Sequence, residues 1–338
     1  MNKMMKFNFL ILYMCLLLMM MNNNFYLKWI IYEFSMILSI SLLNLMKNSM
    51  KMISIMYYTV SSLSSILFMF FMILNNYIYL FSNMNMKILM NIFLLLMLLK
   101  FSMFPFHNWM IFCYEKSSWQ QIFFLSTIMK FIPITFFCHF INFWIIFMFL
   151  LIFNSIYMSI FINVNFSIKK LFACSTSFYN FLMIYMYMIN IKQFFFFIII
   201  YSLILYFIMN LLFKMNYSKL YIIFKYKMLN YIFKLWMLIY LMLPLLLSFM
   251  LKWNFLFEMI KYNKFMSYMY LLYLLSSLML MWKYLIIMKK FMYNNNNFIY
   301  MKINKNMNLM MFLFMYLFVI IFIMYNFMNN FYYKYMYM

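Results

Sequence analysis

Three lysines stand where a lysine is costly. Lys100 ends a long apolar run in Leu98-Leu99-Lys100-Phe101-Ser102-Met103-Phe104-Pro105-Phe106-His107-Asn108-Trp109, Lys130 lies inside the apolar run 121–140, and Lys252 lies inside a third. On insertion scales a lysine at the centre of a bilayer costs roughly 2.5–3.5 kcal/mol. Ionisable groups in such places mark ion or proton paths by default. The chain has only three acidic residues, Glu33, Glu115 and Glu258. Glu33 is in the apolar stretch from Phe25 to Leu45, too deep for a simple interfacial pairing with Lys28. Glu115 beside Lys116 reads as a solvated surface pair, and Glu258, six residues after Lys252, has no role assigned by its position.

Each of the three prolines is near one of these lysines: Pro105 near Lys100, Pro133 near Lys130, Pro244 near Lys252. A proline removes a backbone donor and breaks or kinks a helix. Inside a membrane such a break persists only where protein or a water-filled cavity satisfies the freed carbonyls. Breaks are expected around Met103–His107 and Pro244–Ser248. Lysine precedes proline at the first and follows it at the second, the order an inverted repeat would give.

The elements that position these residues follow from composition. The chain is 70% hydrophobic with a mean hydropathy of +0.94, far above a soluble domain. A ~30 Å hydrocarbon core takes about 20 helical residues. Runs of that order occur at about 7–21, 25–45, 53–74, 88–105, 119–140, 143–163, 171–189, 193–213, 229–259, 267–288 and 308–328. The expected fold is an all-α polytopic membrane protein of about eleven transmembrane helices, one transmembrane domain over 1–338, with two broken helices.

The net charge of +23 does not signal nucleic-acid binding, because the lysines are scattered through loops rather than gathered on one face. The chain has no arginine, aspartate or glycine, and is rich in Met, Phe, Tyr and Asn. That is the mark of AT-rich codons read with an invertebrate mitochondrial code. Much of the lysine and methionine is then mutational drift, and Lys234 and Lys283, near span ends, read as snorkelling to water. Without glycine no Gly-rich phosphate loop can form. Cys15, Cys113, Cys138 and Cys174 are too dispersed for an iron–sulfur or zinc site and read as small buried hydrophobes. Two histidines, His107 and His139, are too few for paired haems. Alternate connections carry unequal lysine. The N-terminus and every second loop hold fifteen, the other set only Lys28, Lys87, Lys192, Lys261, Lys264 and Lys334. By the positive-inside rule the N-terminus lies in the matrix.

These motifs resemble the antiporter-like membrane subunits of mitochondrial NADH:ubiquinone oxidoreductase, respiratory complex I, and among them the subunit 2 family. The family pattern L-K-L-G-x-A-P-F-H-x-W resembles Leu99 to Trp109. The pattern T-W-Q-K-I-A-P resembles Thr127 to Pro133, L-P-P-L-T-G-F-x-P-K-W resembles Leu243 to Trp253, and Trp29 to Leu45 resembles the glutamate helix. Family glycines are replaced by Ser102 and Ser248, an alanine by Phe104, and two prolines by Leu245 and Leu251. The sibling subunits 4 and 5 share the lysine motifs but are longer.

The resemblance implies a Glu33–Lys100 ion pair at one side of a buried channel, Lys130 as central proton carrier, and Lys252 as gate to the exit. It implies no cofactor on this chain, with FMN, iron–sulfur clusters and ubiquinone elsewhere in the complex. Implied partners are the other membrane subunits, notably 4 and 4L, accessory subunits and lipids, in the mitochondrial inner membrane. A stand-alone cation/proton antiporter and a purely structural membrane subunit are the competing readings.

Overall fold

A computed structural model describes residues 3–22, 24–46, 51–80, 86–140, 145–164, 167–214, 247–262 and 264–293, with residues 233, 236, 237, 239 and 240 between them. All regular structure in these residues is helical: α1 Lys3–Met21, α2 Phe25–Leu45, α3 Lys51–Leu80, α4 Met86–Lys100, α5 Asn108–Lys116, α6 Trp119–Ser126 and α7 Ile128–Phe137. A 3-10 turn, Cys138–Phe140, follows α7. Then come α8 Ile145–Val164, α9 Ile168–Phe178, α10 Asn180–Ile189, α11 Ile191–Lys214, α12 Leu247–Tyr262 and α13 Lys264–Tyr293. The first eight expected spans and the tenth fall on these helices. The ninth does so in part, and the eleventh, 308–328, lies outside the described residues.

A helix pairs every backbone group within its own segment, which is what an apolar solvent demands. With no glycine and only three prolines, little in this sequence interrupts it. Among the described residues six helices are long and apolar enough to cross a membrane: Phe25–Leu45, Lys51–Leu74, Trp119–Phe140, Ile146–Val164, Ile191–Phe213 and Phe265–Ile287. Several connections are short. Ser117 and Ser118 join α5 to α6, and Asn190 alone joins α10 to α11. α1 packs on α2 and α7, α3 on α4, α5 on α9, α6 on α11, and α8 on both α9 and α13.

Polar side chains are set within a largely apolar core. Ile37, Ile66, Phe149 and Leu275 point outward, while Ser39, Ser64, Asn154, Thr176 and Asn180 are buried. Many buried serines turn their hydroxyls back on the carbonyl three residues earlier, as Ser35 does on Tyr32 and Ser64 on Ser61. They reach the core without an unpaired hydroxyl.

Among the described residues three spans are interrupted, the third only at Tyr179 between α9 and α10. α4 stops at Lys100 and the chain resumes as α5 at Asn108, so the break begins two residues before the expected Met103–His107. The second break lies at Thr127, between α6 and α7, where φ is −109° and ψ −98°. Thr127 Oγ1 and Ser126 Oγ both donate to the Phe123 carbonyl, at 2.7 and 2.9 Å, and hydroxyls bonded this way bend helices. Pro133 sits inside α7. Pro244 lies outside the described residues, and with it most of the expected break at Pro244–Ser248.

Candidate functional site: buried lysines at an interrupted helix

The end of α4 is a closed hydrogen-bond system. Met103 N–H donates to Leu98 O at 2.9 Å and Ser102 N–H to Leu99 O at 3.2 Å, the paired bonds of a Schellman turn. That turn needs a left-handed residue, and Ser102 takes the position at φ 52°. Glycine does this freely, while an L-residue loses about 1–2 kcal/mol there. Trp109 Nε1 donates to Leu99 O at 3.2 Å.

Two asparagines complete the break from other helices. Asn154 Oδ1, on α8, accepts from Phe104 N–H at 3.0 Å, while its Nδ2 donates to Ser177 O at 3.2 Å beside the α9–α10 junction. Asn180 Nδ2, opening α10, donates to Phe101 O at 2.6 Å. Its Oδ1 accepts from Lys130 Nζ at 3.2 Å. One amide therefore ties the break after Lys100 to the ammonium of Lys130.

Lys100, Lys130 and Lys252 expose 8%, 6% and 2% of their surface; a lysine snorkelling along the outside of the bundle would expose far more. Lys100 Nζ lies 3.3 Å from Met36 Sδ and about equally far from two rings, 5.3 Å from the centre of Tyr32 and 5.6 Å from that of Tyr57. Such placements favour a cation through the ring quadrupole. Lys100 and Lys130 line one small cavity with Tyr57, Ser61, Trp109 and Met110, with room for about one water. A second such cavity, lined by Ser35, Ser39 and Pro133, lies across Tyr57.

The expected Glu33–Lys100 ion pair is not made. Glu33 is half-buried, its Oε1 has no hydrogen-bond partner, and the two charges interact only at a distance. The ammonium of Lys100 is instead seated among Met36, Tyr32 and Tyr57. Among the described residues the ion pair that forms is Lys170 Nζ to Glu115 Oε1 at 3.4 Å. Glu115 thus pairs across α5 and α9 rather than with Lys116. Lys28 does not pair with Glu33; it contacts His139. Glu258 accepts from Asn190 Nδ2 on both oxygens, at 3.0 and 3.1 Å. Lys283 Nζ donates to Asn163 O at 2.6 Å, among the last carbonyls of α8, where a cation is favourable.

Lys252 stands apart from the other two lysines. Its Nζ lies 5.7 Å from the Tyr273 ring centre, and Tyr273 stacks on Phe181 at 4.7 Å and Phe178 at 4.8 Å. Phe181 follows Asn180, so aromatic rings lie between the Lys130 contact and Lys252. His107 is buried among the rings of Phe104, Tyr157 and Phe161. The four cysteines are buried. Among the described residues no three His, Cys, Asp or Glu side chains gather as metal ligands would.

Asn154, Asn180, Tyr32 and Tyr57 were not found from sequence. The available signal was an amide inside an apolar run, and asparagine is too common along this chain for that to stand out.

The apolar exterior, the helical spans and the lysines enclosed at an interrupted helix define a multi-pass helical membrane protein. NADH-ubiquinone oxidoreductase chain 2 of Apis mellifera ligustica is 40% identical over 303 residues, 86% of this chain and 87% of that one. The chain belongs to the NADH-ubiquinone oxidoreductase chain 2 family. Solved structures agree in fold. A chain of respiratory complex I from Thermus thermophilus superposes with a TM-score of 0.62 at 18% identity, over 80% of this chain and 66% of that one. A chain of the membrane-bound sulfane sulfur reductase, an archaeal respiratory membrane complex, gives 0.70 at 12% identity, over 96% and 73%. No protein-family profile matches the chain.

Proposed function

We propose that this chain is a core membrane subunit of proton-pumping NADH:ubiquinone oxidoreductase and carries protons through Glu33, Lys100, Lys130 and Lys252. The observation that carries the reading is the shared cavity of Lys100 and Lys130 at the interrupted helix, with Asn180 bonded to both the break and Lys130. A water there can pass a proton between two amines that do not touch. Glu33 lies within electrostatic range of Lys100 but out of contact, so moving it closer or farther alters how tightly Lys100 holds its proton. Lys130 follows by Coulomb coupling, and Lys252 stands beyond the aromatic rings as the gate toward the exit.

Each proton moved against the membrane field costs about 2.3 kcal/mol per 100 mV. In this reading that energy comes from redox chemistry in other subunits, which hold the FMN, iron–sulfur clusters and ubiquinone. The fold is one domain over 1–338 with about eleven spans and inverted repeats, broken also near Pro244. It lies in the mitochondrial inner membrane with its N-terminus in the matrix, against subunits 4 and 4L, accessory subunits and lipids. A stand-alone antiporter would purify by itself; a complex I subunit is found only in a large assembly with NADH:quinone activity.

Lys130→Met tests the path, since it keeps the apolar stem and removes the proton site. Made at the equivalent position of a bacterial homologue, the variant complex assembles and still oxidises NADH with an artificial acceptor. Quinone reduction and proton pumping in sealed vesicles both fall about a hundredfold or more, roughly the effect of losing a positioned proton-transfer group. Wild-type rate and proton-to-electron ratio would overturn the assignment.

A further inference from the structure

Tyr57 lines the cavity of Lys100 and Lys130, and it lines a second cavity as well. The second lies among α1, α2, α3 and α7, bounded by Leu12, Ser35, Met36, Ser39, Met129 and Pro133. Each has room for about one water. Among the described residues, Tyr57 and Met129 alone line both. A thioether has no proton to give and accepts weakly, whereas a phenol both donates and accepts. A proton moving between the two waters therefore has Tyr57 Oη as its carrier.

The second cavity is built to hold a water by its hydrogens. Ser35 Oγ donates to Tyr32 O at 2.6 Å and Ser39 Oγ to Met36 O at 2.7 Å. With their protons turned back on the backbone, both serines offer lone pairs to the cavity. Two such acceptors and the Tyr57 hydroxyl give a water the two to four polar partners it needs. Beyond the serines, Asn8 Nδ2 of α1 donates to Ser41 Oγ of α2 at 3.1 Å, one turn nearer the N-terminus than Leu12.

The Tyr57 hydroxyl stands between this site and the lysines. It donates to Met36 Sδ at 3.7 Å, a weak acceptor, and interacts with the Ser39 side chain. Lys100 Nζ lies 3.3 Å from the same sulfur and 5.6 Å from the centre of the Tyr57 ring. The ammonium and the hydroxyl thus meet at one atom.

We infer that Tyr57 is a further residue of the proton path, a hydroxyl bridge from the lysine cavity to a second water site held by Ser35 and Ser39. A water there that carries an excess proton gives it to Tyr57 Oη, while Tyr57 gives its own proton to the water between Lys100 and Lys130. The phenol stays neutral throughout, and rotation about its C–O bond restores the starting arrangement. The inference rests on the proton path through Lys100 and Lys130.

The test uses the assembled complex in sealed vesicles. Tyr57→Phe keeps the ring beside Lys100 and removes only the hydroxyl, so a tyrosine that merely packs would be replaced without loss. The variant melts close to the wild type and oxidises NADH with an artificial acceptor at the wild-type rate. Its proton pumping and quinone reduction fall about a hundredfold, roughly the effect of losing a positioned proton-transfer group. If Lys130→Met stops pumping while Tyr57→Phe pumps at the wild-type rate, the bridge is overturned and the path stands; if Lys130→Met pumps normally, the path itself fails. Should Tyr57→Phe not assemble, a density map of the unaltered complex fine enough to place water decides. An ordered water in the second cavity within hydrogen-bonding reach of Tyr57 Oη supports the bridge, and a dry second cavity overturns it.

Discussion

Asn180 accepts from Lys130 Nζ and donates to Phe101 O, so an amide serves where neither a hydroxyl nor a carboxylate would. It meets a cation without neutralising it and satisfies a carbonyl that the end of α4 leaves open. Asn180→Asp places a carboxylate about 3 Å from the ammonium and removes the donor to Phe101 O. An opposite charge so close favours the charged lysine, and an unpaired buried carbonyl costs about 1–3 kcal/mol. The variant assembles with lower thermal stability, and its pumping rate falls more steeply than its NADH oxidation with an artificial acceptor. Equal losses in the two assays would assign Asn180 to folding alone. The three lysines were legible in sequence because a charge in an apolar run has a large cost and few explanations. The asparagines were not, because their abundance here follows codon bias.

At the scale of elements, the helix carrying Lys130 is fixed by its start and its bend. Ser118 and Gln121 form a reciprocal capping box at the N-terminus of α6, and Gln121 Nε2 reaches the Leu43 carbonyl of α2 at 3.3 Å. Gln121→Leu removes both, at a cost of about 1–2 kcal/mol. In thermal denaturation the variant complex melts lower, while its proton-to-electron ratio stays at the wild-type value. A changed ratio would place Gln121 in the path. Proline was a good guide to the first break but set it two residues late. Ser102 at φ 52° in a Schellman turn ends α4, and Pro105 lies within the turn that follows. In a chain without glycine nothing in the letters singles out which serine takes that conformation. The bend at Thr127 had no signal either, since it rests on hydroxyls bonding back to Phe123.

For the whole molecule, the apolar helical spans follow from composition and run length, and these were legible without coordinates. Orientation rests on the unequal sharing of lysine between the two sets of loops. Protease treatment of mitoplasts, read with terminus-specific antibodies, is expected to cut the C-terminus from the intermembrane side and spare the N-terminus; cleavage of both from one side would change the number of spans. Which lysines face each other was not legible, because that depends on how α4, α7 and α10 pack, and motif order says nothing of packing. The contact between Lys100 and Lys130 through one cavity is the centre of the account. A density map of the assembled complex fine enough to place water tests it most directly. The account predicts an ordered water within hydrogen-bonding reach of both ammonium groups, between Tyr57, Ser61 and Trp109. A cavity closed by side chains, or a Lys100 turned away from Lys130 toward lipid, would contradict it.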